Sequence, residues 1–373
     1  MQLSLLQENL NLALQNVSRF VSSKSQLPIL SNILFTTDNG RLKLSATNLE
    51  IGINYWLGAK IDTEGSFTIP AKEITEFISY LSTGKIDLSL NPQSLLEIST
   101  IKAQSTFSTI PATDFPTLPP LDQKSSLEVD FNLLSQAISQ VAFAAATDDS
   151  RPVLTGILCH FSSDTFSLVA TDGFRLSRKI IKLTDNISLP DNKDLTLLIP
   201  SRSLQEVSKL AKNIKKIRFG ASPDSNQLVF VLEDVELVSR LIEGDFPDYK
   251  RIIPDTFSTK IFLNKGEFDQ AIKIASVFAR ESANVVKFSL KKDSLEISAN
   301  APQIGQNKVT IDARIEGEPL DIAFNYKFIS DFLTSIKGEE IIIELNESLS
   351  PGLFHDFQET NYTHIIMPVR IQD

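Results

Sequence analysis

Residues 166–177 read FSLVATDGFRLS, and two other stretches of the chain follow the same plan: RLKLSATNLEIG at 41–52 and SLEISANAPQIG at 294–305. Each stretch is a strand-like run of alternating apolar residues that reaches an alanine and then a polar turn. The three alanines, Ala46, Ala170 and Ala299, are 124 and 129 residues apart. Spacings of this length indicate a repeated domain, because each copy is large enough to bury its own core.

Three further features recur around these stretches in the same order. A helical pattern precedes each of them, at 10–21, 133–144 and 268–279. An apolar strand, a break and a second helix follow, with the breaks at Pro70, Pro200 and Asn325. The tripeptide DFP then occurs at 114–116 and 245–247. Four features in one order at similar spacing predict three domains of about 125 residues, which we place at 1–121, 122–253 and 254–373.

Each copy is predicted to be an α+β domain of two helices packed on antiparallel sheet. Apolar residues at a spacing of three and four predict the buried face of the first helix. We expect that face to consist of Leu6, Leu10, Ala13, Val17 and Phe20. The proline-rich segments 111–122 and 245–258 are predicted to be short, stiff joints, because proline fixes φ and removes a hydrogen-bond donor.

Composition limits the class of protein. Apolar residues are 42% and charged residues 22%, which is typical of a globular chain. No apolar run approaches the roughly 18 residues of a membrane helix, and a single cysteine suits a reducing cytoplasm, where we expect the protein to act. The net charge of −10 argues against a protein that holds nucleic acid by bulk charge.

The residues of catalysis are scarce. Cys159 and His160 are neighbours in an apolar run, GILCHF, and neighbours on a strand point to opposite faces. No Walker loop, GxGxxG, HExxH or CxxC motif occurs, so we predict no catalytic residue, no metal and no cofactor. Two alternatives stay open at this point: an enzyme that uses Asp172 and Arg175, and a non-catalytic β-rich assembly protein.

Four short motifs carry a resemblance over the whole chain: LPIL at 27–30, ATDGFRL at 170–176, FPDYKRIIP at 246–254 and MPVR at 367–370. With the three copies, they resemble the bacterial sliding clamps, the beta subunits of DNA polymerase III. The resemblance implies a head-to-tail homodimer whose six domains close a ring around duplex DNA, independently of base sequence. It implies no catalysis; the partners would be the polymerase III catalytic subunit, the clamp loader and other proteins with a clamp-binding motif.

A ring that holds DNA topologically requires only weak phosphate contacts, which reconciles DNA binding with an acidic chain. The family's basic positions and the helix pattern together give the candidate DNA-facing residues. They are Lys24, Lys72, Arg151, Arg202, Lys209, Lys212 and Lys273. The sequence departs from the family beside Arg151, where Asp148 and Asp149 precede it and Pro152 and Val153 follow it.

The resemblance also implies a groove in which partners dock a short peptide with a glutamine and two large apolar anchors. The matching residues are Leu154, Thr171, Gly173, Phe174, Arg175, Leu176, Pro247, Arg251, Ile252, Asn325, Phe328, Ile366, Met367, Pro368, Val369 and Arg370. The family commonly has histidine at position 174, and this chain runs on to Gln372 and Asp373. For ring closure, the resemblance implies that Phe107 meets Val277 and Phe278 of the other subunit.

Overall fold

The computed structural model describes residues 1–22, 27–123, 126–183, 187, 189, 193–210, 214–222 and 226–370. Within these residues there are six α-helices and 26 strands, and the strands form four antiparallel sheets. The helices are α1 (Gln7–Val17), α2 (Ala71–Tyr80), α3 (Phe131–Val141), α4 (Ser201–Leu210), α5 (Lys265–Ala279) and α6 (Tyr326–Ser335). No described helix is both long and apolar enough to span a membrane.

The chain divides into two compact units, of which the first consists mainly of Met1–Phe131 and Glu206–Leu241. It contains two of the sheets. The five-stranded sheet has the order β5 (Lys60–Thr63), β1 (Gln2–Leu6), β7 (Lys85–Leu90), β8 (Leu95–Ser99), β9 (Gln104–Ser108). The eight-stranded sheet has the order β10 (Ser126–Asp130), β15 (Lys216–Ala221), β16 (Gln227–Leu232), β17 (Val235–Arg240), β4 (Ile51–Gly58), β3 (Arg41–Thr47), β2 (Asn32–Asp38), β6 (Ser66–Pro70).

The second unit consists mainly of Asn132–Ile187, Asn192–Gln205 and Ile242–Asp373. Its nine-stranded sheet has the order β14 (Leu195–Pro200), β11 (Gly156–Phe161), β12 (Thr165–Thr171), β13 (Arg175–Lys182), β26 (Tyr362–Ile366), β25 (Gly352–Asp356), β24 (Glu340–Leu345), β18 (Thr259–Asn264), β22 (Arg314–Glu316). Its four-stranded sheet has the order β21 (Gly305–Asp312), β20 (Ser294–Ala301), β19 (Val285–Lys291), β23 (Asp321–Asn325).

The element order repeats three times along the chain. Each copy opens with a strand that runs directly into a helix, as β1–α1, β10–α3 and β18–α5 do. Three strands come next, and later a strand leads into the second helix, followed by three more strands. The α+β fold with two helices on antiparallel sheet in each copy, predicted from the sequence, is confirmed.

The predicted buried face of the first helix is wrong at Leu6. Leu10, Ala13, Val17 and Phe20 are buried as expected, but Leu6 is 46% exposed. The helix begins only at Gln7, because Leu6 still pairs with Lys85 in the sheet and has extended backbone. The buried first-turn residue is instead Gln7, whose amide donates a hydrogen bond of 2.7 Å to the carbonyl oxygen of Ile78.

Consecutive copies are joined by strand pairing in one register. In the first unit β17 pairs with β4, with Leu237 opposite Ile53. In the second unit β26 pairs with β13, with His364 opposite Ser177. Ile53 and Ser177 are equivalent, since each pairs within its own copy with the repeated alanine, Ala46 or Ala170. The last strand of a copy therefore extends the sheet of the copy before it, and we call the two pairings the first and second junctions.

Candidate functional site

The loop that opens the second junction is held by its own side chains. The Thr171 hydroxyl donates to the Arg175 carbonyl at 2.6 Å and accepts from the Gly173 amide at 3.0 Å. Asp172 Oδ1 accepts from the amides of Phe174 and Arg175 at 2.8 and 2.9 Å. Gly173 has φ +92°, a conformation that glycine adopts without steric cost. Asp172 therefore acts as a turn residue and not as a catalytic acid.

Arg175 ties this loop to the third copy. Only 11% of its side chain is exposed, and Nε and Nη1 make ion pairs with Asp172 at 3.1 Å and Asp331 at 2.5 Å. Nη2 donates to the Phe143 carbonyl at 2.6 Å. The guanidinium also lies over the ring of Phe328, 4.5 Å from its centroid. With these donors engaged, Arg175 is a positioning residue of the junction, and its planar fork suits that role.

Apolar surface lies beside the loop. Phe174 is 62% exposed, and its carbonyl accepts a hydrogen bond of 2.8 Å from the Met367 amide. Leu176 is buried in a cluster with Val169, Leu353 and Ile365, against which residues of the second joint pack. An exposed aromatic ring above a packed apolar floor is a surface on which apolar peptide side chains can bind.

Arg151 lies against the same loop. Its Nη2 donates to the Asp172 carbonyl at 2.9 Å, and Nη1 lies 2.9 Å from the position that a Cβ on Gly173 would take. A side chain at position 173 would therefore displace the guanidinium. The assignment of Arg151 to the DNA-facing set stays a prediction, and its contacts link it to the groove loop.

The other predicted groove residues differ in exposure. Leu154 and Ile366 are buried; Asn325, Phe328, Met367, Pro368 and Val369 are half-buried; Pro247, Arg251, Ile252 and Arg370 are exposed. The Val369 amide donates to the Ala323 carbonyl at 2.8 Å, which places the C-terminal segment beside β23. Asn325 caps α6 by accepting from the Lys327 amide. Arg251 makes its ion pair with Asp248, inside the second joint.

A buried histidine next to the loop carries no mark in the sequence. His364 is fully buried between the rings of Phe143 and Phe332, and its Nδ1 lies 2.6 Å from Ser177 Oγ. Burial, and secondarily the charge of Arg175, lowers the pKa of His364 to about 3. The imidazole is therefore neutral at physiological pH. No sequence signal marked it, because its partner Ser177 lies 187 residues away along the chain.

The structure describes some, but not all, of the candidate DNA-facing residues. Lys72, Arg202, Lys209 and Lys273 are exposed on α2, α4 and α5. Lys209 pairs with Glu206 at 3.0 Å and Lys273 with Asp269 at 2.5 Å. Lys24 and Lys212 lie outside the described residues, as do Gln372 and Asp373. The shared role of these side chains stays a prediction.

The residues predicted for ring closure lie on two edges of the fold. Phe107 is half-buried on β9, the end strand of its sheet, with its ring 5.0 Å from that of Phe77 on α2. Val277 is 54% exposed and Phe278 half-buried near the end of α5. Such apolar groups on sheet and helix edges are suited to pairing with another chain.

Cys159 and His160 do not form a catalytic pair. Cys159 is buried, and burial raises the pKa of its thiol well above the usual range. His160 points to the other face of β11, where it contacts Thr196 and Asp194. Among the described residues, no group of three histidine, cysteine or acidic side chains is arranged to hold a metal ion.

Comparisons with known proteins give matches along the whole chain. Family models for the N-terminal, central and C-terminal domains of the DNA polymerase III beta subunit match residues 1–119, 128–248 and 250–370. The beta sliding clamp of Bacillus subtilis is 30% identical over 381 residues, covering 99% of this chain and 100% of the relative. The beta sliding clamp of Synechocystis is 30% identical and covers 100% of both chains.

Solved structures agree. The DNA polymerase III beta subunit of Thermotoga maritima has a TM-score of 0.91 at 30% identity, and the Bacillus subtilis sliding clamp has 0.93 at 29%; both cover 100% of both chains. The chain therefore belongs to the family of DNA polymerase III beta subunits, the DNA polymerase sliding clamps, and is a processivity factor and not an enzyme.

Proposed function

We propose that two chains join head to tail into a ring that encircles duplex DNA without regard to base sequence. The groove around Phe174 and Leu176 binds short motifs of the polymerase III catalytic subunit, the clamp loader and other partners in the cytoplasm. The domain boundaries at 1–121, 122–253 and 254–373 are part of this proposal. The three matched segments of the family models support them.

The observation that carries ring closure is the shared register of the two junctions. β9 is the last strand of the first copy, equivalent to β17 and β26, and lies at the end of its sheet. β21 is the strand of the third copy equivalent to β4 and β13, and it too lies at the end of its sheet. The Ile110 amide donates to the Thr68 carbonyl as the Val369 amide donates to that of Ala323, so Ser105 is the equivalent of His364. Because Asn307 pairs with the repeated alanine Ala299, the same register places Ser105 opposite Asn307, and Phe107 opposite Gly305, of a second chain.

Side-chain packing supports this register. The ring of Phe107 lies against Phe77 of α2, with the ring centroids 5.0 Å apart. At the second junction Phe143, just after α3, contacts His364 at 5.5 Å. Phe278, the equivalent residue near the end of α5, lies beside Gly305 at the start of β21. Because the register places Phe107 opposite Gly305, it brings Phe107 close to Phe278. The proposed contact of Phe107 with Val277 and Phe278 thus parallels that of Phe143 with β26 at the second junction.

Peptide binding at the groove follows from its apolar floor and exposed ring. Two apolar anchors each stabilise the complex by roughly 1.5–3 kcal/mol on burial, and the glutamine adds hydrogen bonds of about 1 kcal/mol each. Ordering a flexible peptide offsets part of this gain, so we expect dissociation constants in the micromolar range. Such affinities allow partners to exchange on one clamp.

A disulfide placed by the proposed register tests ring closure. Thr106 and Gln306, both exposed, would lie directly opposite each other, at a distance that a disulfide spans. The variant Thr106→Cys, Gln306→Cys should oxidise to a covalent dimer, and the one native cysteine is buried. The control Thr106→Cys, Lys308→Cys is two residues out of register and should cross-link poorly. Equal cross-linking of both, or none in the first variant, would contradict the proposal.

A further inference from the structure

An acidic residue occupies the same place in the second helix of each copy. Glu76, Glu206 and Asp331 are each the sixth residue of their helix, in α2, α4 and α6. Of the residues that follow them, Val207 and Phe332 are buried and Phe77 is half-buried. The acid therefore lies at the margin of the helix face that packs inward, where it can reach a neighbouring copy.

At both junctions this acid forms an ion pair with an arginine of the preceding copy. Glu206 lies 2.9 Å from Arg19, just after α1, and 12% of its side chain is exposed. Asp331 lies 2.5 Å from Arg175. The acid is constant in position, while the arginine comes from a helix end in one case and from a strand start in the other.

Glu76 is the third member of the set and has no such partner in the described part of the chain. It is exposed, and its carboxylate accepts a 3.3 Å hydrogen bond from the Tyr80 hydroxyl. If the ring closes as proposed above, the preceding copy is the third copy of a second chain, and its basic residue must come from there.

The two internal partners have uncharged equivalents in the third copy. When the helical stretches 10–21 and 268–279 are aligned, Val277 stands at the position of Arg19. Gly305 starts β21 as Arg175 starts β13. Arg280 lies one helical turn beyond Val277 and on the same side, since residues three apart are neighbours on a helix. It is exposed and, among the described residues, makes no ion pair; Lys273, one turn before Val277, is paired with Asp269.

We infer that Arg280 of one chain forms an ion pair with Glu76 of the other, and that this pair replaces the two arginine contacts of the internal junctions. The inference rests on the proposed ring closure. It assigns a charge pair that favours a second copy of this chain as the partner, with the acid on the first copy of one chain and the base on the third copy of the other.

A charge-reversal cycle tests the pair. Glu76→Arg and Arg280→Glu should each raise the dimer dissociation constant about tenfold or more, because like charges then meet at both interfaces. The double variant should return to within about threefold of the unmodified chain. The readout is native mass across a dilution series, with circular dichroism to check that each monomer is folded.

A matched control separates this pair from general charge effects. Lys273→Glu makes the same charge change on the same helix and should not rescue Glu76→Arg. Rescue by Lys273→Glu, or no rescue by Arg280→Glu, would overturn the assignment while leaving the ring intact. An unmodified chain that stays monomeric at micromolar concentration would instead overturn the proposed ring closure itself.

Discussion

The first and second junctions share a register but differ in their side chains. At the first junction Leu237 faces Ile53, and the joint residue Leu118 lies close over Gly52. At the second junction His364 faces Ser177, and Leu176 occupies the position equivalent to Gly52 of the first junction. Both junctions keep the same backbone hydrogen bond at the loop tip. The Arg240 amide donates to the Glu50 carbonyl, and the Met367 amide donates to the Phe174 carbonyl, each at 2.8 Å.

This difference indicates that the backbone joins the copies, while the side chains determine whether a junction can bind a partner. Backbone pairing joins the copies at both junctions, so the side chains at the loop tip are free to vary. The first loop tip carries Glu50, and the second carries the exposed ring of Phe174. A partner-binding groove is therefore expected at the second junction, where the apolar floor and the exposed ring occur together.

The largest expected effect tests whether a third junction of the same kind closes the ring. Phe107→Asp should place an unpaired charge in an apolar contact, at a cost of several kcal/mol at each of two interfaces. Native mass at micromolar concentration should show mostly monomer of about 41.4 kDa. Ile101→Asp, at a site 98% exposed in the same copy, is the control and should stay dimeric. A fully dimeric Phe107 variant would mean that another edge closes the ring.

The second prediction compares the arginines of the two internal junctions. Arg175→Met leaves Asp172 and Asp331 without a cation and should destabilise the second junction by about 3 kcal/mol. Arg19→Met should cost at most about 1 kcal/mol, because 35% of that side chain is exposed. Hydrogen exchange of β13 and β26 against β4 and β17 measures both effects. Equal losses of protection would show that the junctions do not differ as described.

The third prediction concerns pH. Because the pKa of His364 is about 3 in the fold and about 6.5 when unfolded, the neutral form stabilises the protein above pH 6.5 and this stability is lost as pH falls toward 3. From pH 7 to 5 the second junction should lose about 2 kcal/mol.

All three histidines lie in the second unit, so the first junction should change less. Burial also lowers the pKa of His355 there, which acts in the same direction. Exchange protection of β26 and β17, corrected for intrinsic rates, gives the comparison. His364→Phe should reduce the pH dependence at β26; an unchanged dependence would assign it to other groups.

The smallest effect of the series concerns recognition alone. Leu176→Asp puts a carboxylate on the apolar floor and should weaken binding of a fluorescent Gln-x-x-Leu-x-Phe peptide by about tenfold or more. Leu49→Asp, in the equivalent loop of the first junction, should leave anisotropy titrations unchanged. Both variants should remain dimeric by native mass. Unchanged peptide binding by the Leu176 variant would leave the 170–177 stretch as a hairpin without a recognition role.

Much of the fold could be predicted from the sequence because its signals are local and repeated. Strands are marked by the alternating apolar residues that lead up to Ala46, Ala170 and Ala299. The starts of helices are marked by the breaks at Pro70 and Asn325. The periodicity of these elements does not depend on distant residues. The start of α1 was misplaced because Leu6 fits the helical spacing, while its pairing with Lys85 in β7 is visible only in the folded sheet.

The candidate site could be predicted only in outline. The turn chemistry of Asp172 and Gly173 is local, so the loop was identified correctly as a turn. The role of Arg175 depends on Asp331, 156 residues away, and the neutral state of His364 depends on complete burial by other elements. A single sequence carries no periodic signal for such contacts. In the structure they can be recognised by comparing equivalent positions of the first and second junctions.

Retention on DNA tests most directly whether the chain acts as a topological ring. The clamp is assembled with a bacterial clamp loader on a nicked circular duplex, washed at high salt, and then measured before and after the circle is linearised. A ring should stay through the wash and leave only after linearisation, because its retention does not depend on phosphate contacts. Equal loss from circular and linear DNA during the wash, as expected of a protein held by phosphate contacts, would contradict the account.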